Sequence, residues 1–358
     1  MNIDLRAKRP SREGRYVLLF GGSGCEREIS LLGAERFLAE AERINFDFLP
    51  IFISKSGDFF IFSGRAEDIS RLSGRADKSL LTPTSPVRLS GVSGFLDDGD
   101  IIPVKLVFPL LHGNFGEDGV IQGLLSALGM KFFGADNFIG AVAADKFYAK
   151  LLARSVGVPT LPEIVLRQKR DASSLTKEIK ESFGFPVFVK PVRLGSSIGA
   201  SLAEGERELP RALRRAFSVA EHVMIEPAVL EKRELEVAYY GVGGRKIITP
   251  PAEISADGGF YDFDLKYKSR GGVSLSAVAD VDEKTRELVR LYTERIAEVF
   301  SLRHAARIDY FLLPDGRLYF NEINTMPGMT AASLYSEMLR RAGVTQKDFI
   351  LSLCEIAD

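Results

Sequence analysis

The sequence predicts an α/β fold that begins with an open, parallel-type sheet and continues into two further α+β units. Three observations predict it. Short apolar runs alternate with helical periodicities through the first third of the chain. Glycine-rich polar loops follow the ends of those runs, the usual place for ligand contacts in an open sheet. Near the C-terminus, two apolar runs flank Pro314-Asp315-Gly316, the signature of an antiparallel hairpin.

Taken in order, residues 1–14 are polar and basic and are expected to be loosely ordered. They lack the apolar stretch that a secretory leader needs. Tyr16–Phe20 reads as a strand running into Gly21-Gly22-Ser23-Gly24, and Glu26–Ala41 as the helix that follows. Phe48–Ile53 and Leu106–Leu111 read as buried strands, Gly119–Leu128 as a helix, and Lys131–Phe133 as another short strand. Residues 63–100 are rich in Ser, Gly, Asp and Arg and read as an elaboration of this first unit. A helix over Asp145–Val156 is broken by Gly157-Val158-Pro159. The second unit has a strand at Val187–Lys190, a helix at Arg207–Phe217 and a strand at His222–Glu226. Strands at Leu235–Tyr240 and Lys246–Ile248, an irregular stretch from Ser255 to Ser276, a helix over Glu283–Phe300, the hairpin His304–Asn324 and terminal helices complete the third. A chain of 358 residues is expected to divide into two or three domains, here 1–135, 136–227 and 228–358.

With 47 basic and 48 acidic side chains, the chain carries no overall field for nucleic acid or an anionic membrane. Cys25 and Cys354 are the only cysteines, and His112, His222 and His304 lie far apart, so zinc-ligand spacing is absent. No apolar run approaches the length of a membrane span. The expectation is a cytoplasmic protein with a small-molecule site.

In RIDYFLLPDGRLYFNEIN, a four-residue connection at Pro314–Arg317 pairs Leu313 with Leu318, and counting back sets Asp309 opposite Glu322. Side-chain alternation puts Arg307 and Asn324 on the same face, with Phe311, Leu313, Leu318 and Phe320 as neighbours. Opposed carboxylates with Cβ atoms about 5 Å apart repel unless a cation or proton intervenes. Oxygen donors from Asp309, Glu322 and Asn324 suit magnesium, which completes its shell with water and nucleotide phosphate. The alternative is a hairpin end that frays into water or pairs with lysines and arginines.

Four loops carry further chemistry. In PVFVKPVRLGSSIG, Lys190 ends a strand and Gly195, Ser196, Ser197 and Gly199 follow. Such a loop can close on phosphate with a lysine charge behind it, or be an exposed turn; it is not a Walker A motif. GGSGCEREIS sets a glycine loop at a helix start, where Glu26 either complements the helix dipole or holds a substrate ammonium. LLHGNFGEDG makes His112 a binding candidate or a structural hydrogen-bonder. NTMPGMTAAS follows the hairpin directly, so the Gly328 amide is a candidate oxyanion donor as well as part of an ordinary turn.

These segments, with Asp145-Lys146 and FYDFDLKY, occur in an order that resembles the D-alanine:D-alanine ligases of the ATP-grasp superfamily over nearly the whole chain. The resemblance implies three α/β domains, the central and C-terminal ones clasping ATP. It implies Lys146 and Lys190 on phosphate, Ser197 in the loop over ATP, and Glu226 and Glu234 at adenine and ribose. The EPAVLEKRELE stretch departs from the commonest spacing, which loosens the assignment of Glu234. Asp309, Glu322 and Asn324 match magnesium (or manganese) ligands for two ions, and Arg307 the arginine on the transferred phosphate. Glu26 and His112 fall at the first amino acid, and Lys266, Ser333 and Leu334 at the second. Tyr267, with Ser196 and Glu26 as polar partners, lies in a closing loop, as in dipeptide-forming members.

The implied activity is ATP-dependent joining of two D-alanines through an acyl phosphate, with Gly328 supporting the oxyanion, for a peptidoglycan precursor. A homodimer is implied, without nucleic acid or membrane partners. A D-alanine:D-lactate ligase, another ATP-grasp carboxylate-amine ligase, and a catalytically silent nucleotide-binding protein remain as rivals.

Overall fold

The structure, a computed structural model, describes residues 14–24, 26–73, 78–90, 94–97, 100–256, 273–329 and 333–357. β1 (Arg15–Gly21) passes through the first glycine loop into α1 (Arg27–Arg43), which buries Ala34, Phe37 and Leu38. β2 (Phe48–Ile53) returns parallel to β1. β3 (Phe59–Phe62), β4 (Leu81–Ser90) and β5 (Gly94–Asp97) follow in antiparallel pairs, and β6 (Asp100–Pro109) lies parallel to β1 on its other side.

The expected parallel arrangement is the trio β2-β1-β6, but the sheet does not stay open: β3, β4 and β5 close it into a ring. These strands come largely from the segment that sequence pattern leaves unstructured. LTPTSPVRLS interrupts its own alternation with two prolines and several hydroxyl residues, so a strand there has a weak signature. The short strand expected at Lys131–Phe133 is a single bridge from Phe132 to Val107.

α2 (Val120–Ala127) precedes α3 (Asn137–Ala144) and α4 (Lys146–Ser155). Asp136 and Asp145 start the latter two by accepting bonds from the backbone of Ile139, and of Phe147 and Tyr148. Although they come before the second sheet in sequence, α3 and α4 bury Ile139, Ala143, Ala149 and Ala153 in the core of the third.

The second sheet contains β7 (Ile164–Leu166), β8 (Val187–Pro191), β9 (Ser201–Ala203) and β10 (Val223–Pro227) in the order β7-β10-β8-β9, all antiparallel. α5 (Ala172–Ser182) and α6 (Leu209–Phe217) cover it through Leu175, Ile179 and Leu213. The third sheet contains β11 (Arg233–Val242), β12 (Arg245–Ile248), β13 (Ala252–Ala256), β14 (Val273–Ser276), β15 (His304–Leu312) and β16 (Leu318–Asn324). Its main order is β14-β13-β11-β15-β16, and α7 (Glu283–Val299) packs on it through Val289 and Ile296.

α8 (Leu334–Arg341) and α9 (Gln346–Ala357) then return to the first unit. There Phe349 meets Phe37 and Phe108 edge-on at 6.4 and 6.1 Å. Each such buried phenylalanine contributes about 2–3 kcal/mol through removal of apolar area from water.

His304 links the first and third units. Its Nδ1 accepts the Gly134 N–H at 2.9 Å, and its ring stacks on Phe133. Burial, then the neighbouring Arg303 charge, lowers its pKa from 6.5 to about 4. The folded state thus binds fewer protons than the unfolded one between these values, so stability is lost as pH falls from 6.5 through 4. Urea unfolding is expected to show a contribution about 2 kcal/mol smaller at pH 4.5 than at pH 6.5. That part of the pH dependence should be missing from His304→Gln.

Candidate active site

The β15–β16 hairpin supplies one wall of the site. Its tip is shorter than the four-residue connection expected: Leu313 N–H bonds Arg317 O at 2.9 Å around Pro314-Asp315-Gly316, and Gly316 has φ +84°. Leu312 therefore pairs with Leu318, one residue out of the expected register. A bulge between the Tyr310–Phe320 and Asp309–Glu322 pairs leaves Asn321 as the extra residue and restores the count.

Asp309 consequently opposes Glu322, and Arg307 opposes Asn324, as expected, by a route that sequence counting missed. The bulge also corrects the expected neighbours. Leu318 and Phe320 turn into the opposite core with Tyr310, while Phe311 pairs with Tyr319 on the carboxylate side. Asn321 and Glu322, adjacent in sequence, both line the cleft, and Asn321 Oδ1 is buried without a hydrogen-bond partner among the described residues.

Charges on this wall are interlocked. Arg307 donates to both oxygens of Asp309 at 2.8 and 2.7 Å and lies 3.2 Å from Glu236 on β11. Burial works against its charge, but Asp309 and then Glu236 outweigh it and hold the guanidinium well above its ordinary pKa. Lys146, the first residue of α4, reaches Glu322 at 3.3 Å and donates to the Leu194 carbonyl at 2.8 Å. Asn324 Oδ1 accepts from Met326 N–H at 2.9 Å. The carboxylates of Asp309 and Glu322 are thus paired with Arg307 and Lys146, the arginine and lysine pairing named as the alternative to a metal, while their oxygens and that of Asn324 are of the hard kind that could hold magnesium.

Facing this wall, the second sheet brings Lys190 from β8 and Glu226 from β10 into a cleft of about 1050 Å³. Lys190 Nζ lies 2.6 Å from Glu226 Oε2. Burial, then Lys146, lowers the Lys190 pKa to about 7. The loop after β8 is backbone-strained: Ser196 and Ser197 have φ +51° and +57°, a left-handed conformation that L residues with side chains avoid. Arg193 ties this loop to Asp145 at 2.7 Å. Glu234 lines the same cleft and pairs with Lys232 at 3.2 Å.

A second cleft, of about 1790 Å³, shares Lys146, Ser196, Glu236, Arg307 and Glu322 with the first. Glu26 lies in it, 8% exposed, and accepts a short hydrogen bond from Ser196 Oγ. Gly113 has φ +67°, and a Cβ there would meet Glu26 Oε2 at 2.1 Å, so a larger residue would push that carboxylate aside. His112 pairs with Glu117 at 3.2 Å, and burial pushes the Glu117 carboxyl up. On the far side, Ser333 Oγ donates to Gly328 O at 2.5 Å and accepts from Ser336 N–H, so it fastens the Gly328 turn to the start of α8, next to Leu334. Lys266 and Tyr267 lie outside the described residues.

The fifteen other residues expected from sequence thus gather around two adjoining clefts. Sequence reasoning missed Glu236, Asn321, Lys232 and Lys150. Alternation along β11 could have placed Glu236 beside Glu234 on the cleft face; nothing in the pattern announces the bulge at Asn321.

Two antiparallel sheets that face one another across a lysine-lined cleft, with opposed carboxylates on one wall, define an ATP-grasp enzyme. Comparison with known proteins agrees. Residues 15–135 match the family model described as D-ala D-ala ligase N-terminus, and residues 152–355 that described as D-ala D-ala ligase C-terminus. The D-alanine–D-alanine ligase of Streptococcus uberis is 34% identical over 344 residues, covering 96% of this chain and 95% of the relative. That of Streptococcus pneumoniae is 32% identical over 342 residues, covering 95% of each. Among solved structures, VanG D-Ala:D-Ser ligase from Enterococcus faecalis superposes with a TM-score of 0.85 at 30% identity, over 96% of this chain and 99% of that one. D-alanyl-alanine synthetase A from Vibrio cholerae gives 0.82 at 30% identity, with the same coverage. The chain belongs to the D-alanine:D-alanine ligase family.

Proposed function

We propose that the protein joins two molecules of D-alanine at the expense of ATP, supplying a peptidoglycan precursor. The observation that carries this is the shared wall: a lysine-lined cleft and a cleft holding Glu26 and His112 meet at Lys146, Arg307 and Glu322. A carboxylate bound in the second cleft thereby lies next to the terminal phosphate of a nucleotide in the first.

ATP is the substrate of the first cleft, with Glu226 and Glu234 toward its nucleoside and Lys190, Lys146 and the Ser196-Ser197 loop toward its phosphates. The first D-alanine binds by its ammonium to Glu26, near His112. Its carboxylate oxygen attacks the γ-phosphorus, forming an acyl phosphate as ADP leaves, while Arg307 holds the transferring oxygens. The amine of the second D-alanine attacks the acyl carbon and gives a proton to the departing phosphate, which leaves with the bridging oxygen and the electron pair of the broken carbon–oxygen bond. The Gly328 amide faces the oxyanion, and Ser333, with Leu334 and Lys266, receives the second carboxylate. Tyr267 would complete the polar chain Glu26–Ser196 as its loop excludes water. Asp309, Glu322 and Asn324 would hold one or two magnesium or manganese ions, which supply charge neutralisation in phosphoryl transfer.

Lys190 makes nucleotide binding pH-dependent. Because burial lowers its pKa to about 7 and an arriving phosphate raises it, binding of ADP is expected to take up protons above pH 7 and progressively fewer as the pH falls below it. Calorimetry in buffers of different ionisation enthalpy reads this directly.

The likeness to a D-Ala:D-Ser ligase favours a second possibility, in which the second substrate is not D-alanine. ADP release should require D-alanine and proceed with D-alanine alone; turnover that needs D-lactate or D-serine as well would replace the second substrate. We further propose a cytoplasmic homodimer without nucleic-acid or membrane partners, in three domains divided near residues 135 and 227. The near-balanced charge, net −1, supports the part of this that concerns nucleic acid. Light scattering tests the dimer.

A further inference from the structure

Lys150 is among the largest side chains of this protein to be completely buried, at 1% exposure, and nothing in the reaction uses it. It comes from the middle of α4, behind the nucleotide cleft rather than in its lining. Its Nζ makes a short contact with Glu226 Oε1 and lies 3.4 Å from the Leu161 carbonyl. Glu226 is itself 2% exposed, and its other oxygen, Oε2, receives Lys190. One buried carboxylate is therefore held by two lysines, one on the cleft and one behind it.

One carboxylate does not need two ammonium groups. Burial lowers the pKa of both lysines, and the charge of Lys190 lowers that of Lys150 further. The pairing makes sense if the lysines serve at different times. A phosphate entering the cleft draws Lys190 away from Glu226, and a buried carboxylate stripped of its counter-charge would be driven to move or take up a proton.

We propose that Lys150 is a positioning residue of the nucleotide site: it keeps Glu226 anchored and anionic when Lys190 turns to phosphate, so that Glu226 accepts from the amino group of adenine. This rests on nucleotide occupying the first cleft, as the ligase function requires. Lys150 touches neither base nor phosphate; it acts through Glu226.

The test is the dissociation constant of magnesium-ADP and of magnesium-IDP, whose base has a carbonyl in place of that amino group, for the wild type, Lys150→Met, Lys150→Arg, Glu226→Gln and the double variant Lys150→Met/Glu226→Gln. Wild-type protein should prefer ADP. Lys150→Met should weaken ADP at least tenfold and IDP much less, while Lys150→Arg stays within about threefold of wild type. The double variant removes both buried charges together, so it keeps the test available if Lys150→Met alone fails to fold; it should bind ADP no more weakly than Glu226→Gln. Unchanged ADP-over-IDP preference in Lys150→Met, or a further tenfold loss from Glu226→Gln to the double variant, overturns the proposal while leaving the ligase function standing. Wild-type protein that binds neither nucleotide overturns both.

Discussion

Replacing Arg307 by methionine is expected to lower kcat by about 10³-fold or more, the scale seen when an arginine that stabilises a transferring phosphoryl group is removed. Its position makes the effect large. The guanidinium is 21% exposed, gripped by Asp309 and Glu236, and lies on the wall common to both clefts. Its carboxylate partners keep it charged at any workable pH. The variant also leaves Asp309 and Glu236, direct neighbours across β15 and β11, without the cation between them, so unfolding must be measured alongside the kinetics. Arg307→Lys separates the contributions: it keeps the charge but loses the fork that grips both Asp309 oxygens, so partial activity is expected. Equal loss in the two variants would point to geometry; no loss in either would remove Arg307 from phosphoryl transfer.

Glu322→Gln is expected to reduce kcat by about 10²- to 10³-fold and to raise the magnesium concentration needed for half-maximal rate. The substitution keeps shape and removes one negative charge from the opposed pair. The Lys146 contact it weakens, at 3.3 Å on a side chain 29% exposed, is of a kind that contributes about 1 kcal/mol or less, so unfolding is measured beside the rate. A rate loss with little change in unfolding therefore separates a metal role from a structural one. Rate measurements across a magnesium titration decide it, and full activity with unchanged metal dependence would withdraw Glu322 from the metal set.

How much of this was legible depends on how local the physics is. β1, β2 and β10 announce themselves as short apolar runs because both faces are largely buried, β8 through Val187 and Val189 on its core face, and α4 because Asp145 caps it and Gly157 ends it. The Asp309–Glu322 pairing was legible because hairpin register propagates from a turn, yet two displacements, a three-residue loop and the bulge at Asn321, cancel within the hairpin. Neither could be read from alternation. Strands β3 to β5 escaped although each pairs with its neighbour in sequence, because β3 and β5 are only four residues long and β4 breaks its alternation with two prolines. Lys150 escaped for the opposite reason. On a helix of strong amphipathic pattern a lysine predicts solvent, and only tertiary structure brings Glu226, 76 residues away, to receive it.

The central claim, that the two clefts pass a phosphoryl group to a substrate carboxylate, is tested most directly with D-alanine carrying ¹⁸O in both carboxyl oxygens. Attack by that carboxylate on ATP, followed by departure of phosphate from the acyl carbon, moves one carboxyl oxygen into phosphate. Mass spectrometry of the released phosphate should therefore find one ¹⁸O for each ADP formed, with one ¹⁸O fewer at the new peptide carbonyl. ADP formed together with unlabelled phosphate would contradict it, because the γ-phosphoryl group would then have gone to water instead of D-alanine.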